Sequence, residues 1–360
     1  MFDYLIVGCG FAGSVCARTL AERNKKILII DKRNHIGGNA YDYYNASGIM
    51  VHKYGPHIFH TENKRVWDFV SRFTKWNDYQ HRVLSYVDGK MMPFPINVDT
   101  INILYGTRYD SQTIDGFYKS LKNENMDIKN SKDMIVSKVG ETLYEKFFRG
   151  YTKKQWDLYP EELDKEVTAR IPIRFDRDDR YFINKYQGMP LQGYTRLFEN
   201  MLDHKNIKIM LNTDYFEIKD EVNYQNLIYT GPIDYFFNYC FGNLPYRSLE
   251  FVQETYNMEC YQKVGTVNYP NDYDFTRITE YKYLTRQKSP VTTIMKEYSK
   301  SEGDPYYPIP KKENNALYRR YEKESQELDN TYFIGRLANY KYFNMDAVIN
   351  DALSLVDKIK

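Results

Sequence analysis

The first thirty-one residues restrict the fold more than any other part of the chain. An apolar run, Tyr4-Leu5-Ile6-Val7, meets the turn Gly8-Cys9-Gly10-Phe11-Ala12-Gly13, then a helical stretch from Phe11 to about Arg23, then a second apolar run, Ile27 to Ile30, closed by Asp31. G-x-G-x-x-G directly after a strand and opening a helix is the setting that makes the pattern a dinucleotide-binding turn. Gly8 permits the tight turn, Gly10 lets backbone approach a pyrophosphate at the helix N-terminus, and Gly13 lets the helix pack closely on the strand. Asp31 lies where an acidic side chain meets the adenosine ribose hydroxyls. A glycine turn that merely joins a strand to a helix would not also need the second strand and its terminal acid. Phe11, Ala12, Lys32 and Asn39 belong to the same expected cofactor set. A second glycine pair, Gly37-Gly38, just past the strand allows close backbone approach along an extended cofactor. No further βαβ repeat follows at once, so FAD is favoured over NAD.

Beyond this unit the pattern changes. From Asp99 to about Lys154 apolar residues recur at spacings of three and four, the signature of a small helical unit. Short alternating runs, Lys263 to Tyr269 and Val291 to Tyr298, read as antiparallel strands. Thr331 to Leu337 reads as a strand ending in Gly, and a helix from about Asp346 to Lys360 returns to the cofactor unit. The expected fold is α/β: a discontinuous Rossmann-like FAD-binding domain (1–76, 191–240 and 313–360), an inserted helical domain (97–156), and an antiparallel sheet domain for the substrate (77–96, 157–190 and 241–312).

Composition excludes other classes. Fifty Lys+Arg against 48 Asp+Glu leave a net charge of +2, with no basic face for a general nucleic-acid binder. No run approaches the roughly 18 apolar residues of a membrane span, and the N-terminus shows no leader pattern, so a cytoplasmic protein is expected. Cys9, Cys16, Cys240 and Cys260 form no Cys-x-x-Cys pair, which suits a reducing compartment. His57 and His60 have no nearby acidic or Cys partner to complete a ligand set, so no metal is expected. The outlier is tyrosine, 36 of 360 residues, which explains how a chain that is 42% hydrophobic has a mean hydropathy of −0.67.

A set of longer blocks carries a family resemblance. Arg33 to Tyr41, His52-Lys53-Tyr54-Gly55-Pro56-His57-Ile58-Phe59-His60-Thr61, Gly150-Tyr151-Thr152-Lys153-Lys154-Gln155-Trp156, Arg170 to Phe175, Tyr186-Gln187-Gly188, Thr276-Arg277-Ile278-Thr279-Glu280, Pro305-Tyr306-Tyr307-Pro308 and Gly335-Arg336-Leu337, with the glycine turn, closely resemble the bacterial UDP-galactopyranose mutases. The match spans nearly the whole chain. It implies an FAD enzyme, active when the flavin is reduced, that interconverts UDP-galactopyranose and UDP-galactofuranose without net redox change. Reduced N5 is an amine with an available lone pair and can attack the anomeric carbon as UDP leaves; oxidised N5 is an electrophile and cannot. A homodimer is also implied.

The resemblance assigns residues as well. Arg174, on a loop that closes on substrate, and Arg277 hold the diphosphate, where leaving UDP gains charge and planar guanidinium donors fit. His57 and Arg336 lie by the flavin, as do Asn344 and Met345. Tyr151, Tyr186, Tyr307 and Tyr342 surround uridine and diphosphate; Phe147, Thr152, Trp156 and Asn268 extend the uridine pocket; His60 and His81 face the sugar. Two departures stand out. Asn344 occupies a position where relatives commonly carry Asp, and Asp31 one where they commonly carry Glu. The same fold also serves redox flavoenzymes of the amine-oxidase type, whose pocket should be mainly apolar around the flavin.

Overall fold

The computed structural model describes residues 1–121, 126–165 and 172–359. A five-stranded parallel sheet runs in the order Thr331–Phe333, Tyr224–Tyr229, Phe2–Val7, Ile27–Asp31, Ile207–Leu211. Its central strands are nearly continuous apolar runs because both faces are covered. On one face Ile6, Ile27 and Ile29 pack with Val15 and Leu20 of the helix Phe11–Glu22 and with Ile349 and Leu353 of the helix Met345–Lys358. On the other, Leu5, Leu28 and Ile30 pack with Tyr215, Ile218 and Tyr229. The last helix is tied to the C-terminal end of the helix Phe11–Glu22 by Arg23 Nη1, which donates to the Val356 carbonyl at 2.6 Å.

The glycine turn is held by close approach. A Cβ at Gly13 would lie 2.0 Å from the Gly8 carbonyl oxygen, so any side chain there would push the helix off the strand. Gly38, at φ +54°, packs on the same turn: a Cβ there would lie 2.8 Å from Gly10 Cα. The second glycine pair is thus needed against the first as well as near a cofactor.

The second sheet has seven strands in the order Tyr307–Pro308, Tyr246–Tyr256, Thr292–Lys300, Arg277–Glu280, Thr266–Asn268, Val83–Val87, Lys90–Phe94. It is not purely antiparallel as expected: Thr266–Asn268 runs parallel to Val83–Val87, a pairing of segments too distant for a local pattern to reveal. The run Lys263 to Tyr269 forms a strand only over Thr266–Asn268. The run from Thr331 stops at Phe333, because Gly335 turns the chain at φ +97°.

The expected helical stretch is several helices. Val98–Tyr105 starts at a capping box in which Asn97 and Thr100 exchange side-chain-to-backbone bonds, and it ends at Gly106 with φ +68°. Ile114–Leu121 and Ser131–Tyr144 follow, joined through a wide π turn, Glu145–Arg149, to Gly150–Trp156. Ile101, Ile114, Ile135, Val139, Phe147 and Phe148 share their core with Val83 and Met92 of the sheet. The C-terminal helix spans Met345–Lys358, and Lys360 lies outside the described residues.

Candidate functional site

A cavity of about 780 Å³ opens where the strands Phe2–Val7 and Ile27–Asp31 end. Gly8, Gly10, Phe11, Ala12, Asp31, Lys32, Asn39, His57, Arg336 and Met345 all line it; Gly13 and Asn344 do not. Asn344 instead precedes the last helix, its carbonyl accepting from Val348 N. Asp31 is fixed by two backbone donors, Cys9 N–H to Oδ2 at 2.8 Å and Arg33 N–H to Oδ1 at 2.9 Å. Arg33 lies 4.2 Å over the Tyr54 ring and donates to Asn39 Oδ1 at 2.9 Å. Ser301, Gly303 and Asp304 also line the cavity, and Asp304 reaches Arg33 at 3.5 Å and Lys32 at 3.9 Å.

These residues fit a dinucleotide. At Gly10 a Cβ would meet nothing in the protein closer than Gly38 Cα at 3.7 Å, so it is space beside the helix N-terminus that its absence preserves. Asp31 supplies the acceptor at one end. His57 and Arg336 line the same cavity.

A cleft adjoins the cavity at Arg336, built from the second sheet and the helix Gly150–Trp156. Arg277 and Glu297, opposite each other on neighbouring strands, form a bidentate pair: Nε to Oε2 at 2.9 Å and Nη2 to Oε1 at 2.8 Å. Glu297 is 2% exposed. Burial opposes the charge on Arg277, but the Glu297 carboxylate beside it holds the guanidinium well above its ordinary value. Asn268 lies across from Arg277 on the next strand. Tyr151 and Tyr307 are both kept as neutral phenols by burial, and both lie in the fields of Arg277 and Glu297. The Tyr307 and Tyr342 rings stack at 5.2 Å, with Trp156 at 6.3 Å and 6.1 Å from them. Arg336 stands over both tyrosines, at 5.2 Å and 5.4 Å, while donating to the Phe343 and Tyr306 carbonyls. Phe147 and Thr152 are buried on the same helical segment.

His57 is held as a neutral base. Its Nδ1 lies 2.9 Å from the Gly55 carbonyl, which only a proton on Nδ1 satisfies, leaving Nε2 an acceptor. Burial first, and then His52 and the charges of Arg336 and Arg277, push it down to about 3. Among the described residues no group of three or more His, Cys, Asp or Glu is placed to hold a metal ion.

Two predicted residues stand apart. Arg174 does not meet Arg277: its guanidinium donates to the Asp178 carbonyl at 2.9 Å and the Tyr181 carbonyl at 3.4 Å, closing its own loop. Asp178 is in turn pinned by Arg180, which drops its carboxyl to about 2. Arg170 and Ile171 of the same block lie outside the described residues. Tyr186 stacks on Trp67 at 5.3 Å, on the strand paired with Phe59–Thr61, rather than joining Tyr307 and Tyr342. His60 and His81 both flank Phe182.

Two residues of the cleft escape a reading of motifs. Glu297 shares the buried face of its strand with Met295, and a carboxylate on such a face requires a partner, which is the signal it gives. Arg247 is buried opposite Tyr307 and donates to the Gln155 carbonyl at 3.2 Å; no motif marks it.

A family model described as UDP-galactopyranose mutase matches residues 146–342, and one for an NAD(P)-binding Rossmann-like domain matches residues 6–73. The chain is 40% identical to a probable UDP-galactopyranose mutase of Klebsiella pneumoniae over 363 residues, covering 99% of this chain and 94% of that protein. It is also 40% identical to a dTDP-fucopyranose mutase of Escherichia coli over 365 residues, covering 98% and 97%. In fold it resembles a crystal structure of reduced UDP-galactopyranose mutase, with a TM-score of 0.81 at 17% identity, covering 100% of this chain and 95% of that one. No helix among the described residues is long and apolar enough to cross a membrane.

Proposed function

Because the chain belongs to the UDP-galactopyranose mutase family, we propose that it interconverts UDP-galactopyranose and UDP-galactofuranose with FAD in the glycine-turn cavity. The observation that supports this most is the placement of Arg336, which lines the cofactor cavity and also stands over Tyr307 and Tyr342 in the cleft. Cofactor and substrate would meet at that side chain. Reduced FAD would supply a nucleophilic amine, N5, for attack on the anomeric carbon.

The chain's own residues do the rest. Arg277, kept charged by Glu297, offers hydrogen bonds to the diphosphate as negative charge gathers on it, each worth roughly 1.5–3 kcal/mol. Tyr151, Tyr307 and Tyr342 present phenols that donate to phosphate oxygens, and Trp156 gives uracil an aromatic face. His57 presents an uncharged acceptor toward the flavin end, and Arg336 favours a reduced, anionic flavin. Arg174 would join Arg277 only after releasing the Asp178 and Tyr181 carbonyls. Such a cleft, rich in charge and phenols, suits a nucleotide diphosphate and not the apolar pocket of an amine oxidase. In this reading the enzyme is a cytoplasmic homodimer that supplies galactofuranose for surface glycans.

Equal identity to the dTDP-fucopyranose mutase gives a second reading, a dTDP-linked 6-deoxy sugar at the same cleft. Dithionite-reduced protein offered UDP-galactofuranose and dTDP-fucofuranose in parallel separates the two. Faster conversion of the uridine nucleotide to its pyranose, followed by chromatography, is the expected result; conversion of the thymidine nucleotide alone would replace it.

A further inference from the structure

We propose that Tyr79 is a positioning residue whose hydroxyl fixes the proton of His81 on Nε2, so that the end of the cleft beside Arg277 offers an uncharged hydrogen-bond donor to a hydroxyl of the substrate's sugar. The sugar in this statement rests on the function proposed above; the tautomer does not.

His81 lies two residues before the strand Val83–Val87 and is 5% exposed. Its own carbonyl accepts from Tyr181 N at 2.7 Å, which ties it to the end of the Arg174 loop. Its ring flanks Phe182, at 6.1 Å, and Tyr181, at 5.6 Å, and it lies in the field of Arg277. The residue therefore sits between the loop that carries Arg174 and the strand that carries Arg277.

The tautomer follows from the partners. Tyr79 Oη lies 2.8 Å from His81 Nδ1, and no other acceptor is within reach of that phenol among the described residues. Tyr79 is 7% exposed, so a phenolic proton with no acceptor would carry the full cost of an unmade buried hydrogen bond. Tyr79 is the donor, His81 Nδ1 the acceptor, and a neutral imidazole that accepts at Nδ1 carries its proton on Nε2. Burial, with Arg277 and His60 adding to it, pushes His81 down to about 3, so the ring stays neutral. Nε2 has no protein partner among the described residues, nor is it one of their sealed, unpartnered atoms, and it stays open to a ligand.

Gly265 makes the arrangement feasible. A Cβ there would lie 2.4 Å from Tyr79 Oη, so only glycine leaves room for the hydroxyl. The neighbouring histidine is set the other way: His60 Nδ1 lies 3.0 Å from Asn184 Oδ1, which takes a proton from it and leaves Nε2 an acceptor. One ring donates and its neighbour across Phe182 accepts, a polar pair that a sugar hydroxyl can satisfy in both directions.

The test is ¹⁵N-histidine NMR of the holoenzyme, with His81→Gln to assign the resonance, beside steady-state kinetics of Tyr79→Phe. His81 should show its proton on Nε2 in the native protein and lose that fixed signature in Tyr79→Phe. KM for the sugar nucleotide should rise about three- to tenfold, the worth of one neutral hydrogen bond, with inhibition by UDP alone unchanged. In a His81→Gln background the Tyr79 change should add nothing further. A native His81 protonated on Nδ1, or an unchanged signature in Tyr79→Phe, would overturn the tautomer lock whatever the turnover. Loss of UDP binding in step with KM would overturn the assignment to the sugar. If the native enzyme converts neither sugar nucleotide, the function falls while the spectrum still decides the tautomer.

Discussion

At the scale of single residues the cleft turns on a few charged and neutral groups held in fixed states. Arg277→Ala should lower turnover at least about a hundredfold, since it removes two or more charge-assisted donors, while leaving the flavin bound. Arg174→Ala should do the same, and loss of flavin from both variants would show that they act elsewhere. Acid sensitivity is set by other residues. His52 and His81, 1% and 5% exposed, are held neutral down to about pH 3 by burial, against 6.5 ordinarily. Between these values the unfolded chain therefore binds a proton at each of these two residues, and at His57, that the fold does not. Stability is full above about pH 6.5 and falls below it by about 1.4 kcal/mol per pH unit for each residue. Guanidinium midpoints at about pH 7.5 and about pH 5.5 should differ accordingly; equal midpoints would contradict the neutral assignment. The motif around Arg277 was legible in sequence, whereas its partner Glu297 lies twenty positions away on the next strand and only the pairing brings them together. The tyrosine excess was no guide. Tyr118 and Tyr194 are fully buried with hydroxyls unpartnered among the described residues, which is packing rather than chemistry.

At the scale of elements the glycine turn is the most legible part of the fold, because its rules are local: apolar strand, tight turn, helix, acid. Gly13→Ala should cost about 1–3 kcal/mol of stability, the usual cost of overpacking, because the Gly8 carbonyl cannot yield without moving the strand. Gly38→Ala should do likewise through Gly10, with weaker flavin retention in both. Thermal melts and flavin release on dilution would measure this; native-like values would mean that the two turns are looser than their contact implies. The strand Ile207–Leu211 and the parallel pairing of Thr266–Asn268 with Val83–Val87 were not legible, since their partners are distant in sequence. Neither was the state of the Arg174 loop. Its composition shows polar residues, but only the fold shows Asp178 gripping Arg180 and the loop carbonyls occupying Arg174.

At the scale of the whole molecule, two sheets built from interleaved segments bring the cofactor cavity and the cleft to a shared wall at Arg336. That union makes the central claim testable in one measurement: conversion of UDP-galactofuranose by the same protein sample with its flavin oxidised and then reduced. The account predicts no turnover when oxidised, and rapid formation of UDP-galactopyranose when reduced. Over many turnovers the flavin should remain reduced, because the sugar is rearranged and not oxidised. Turnover indifferent to the flavin's redox state, or flavin consumed in proportion to product, would contradict it.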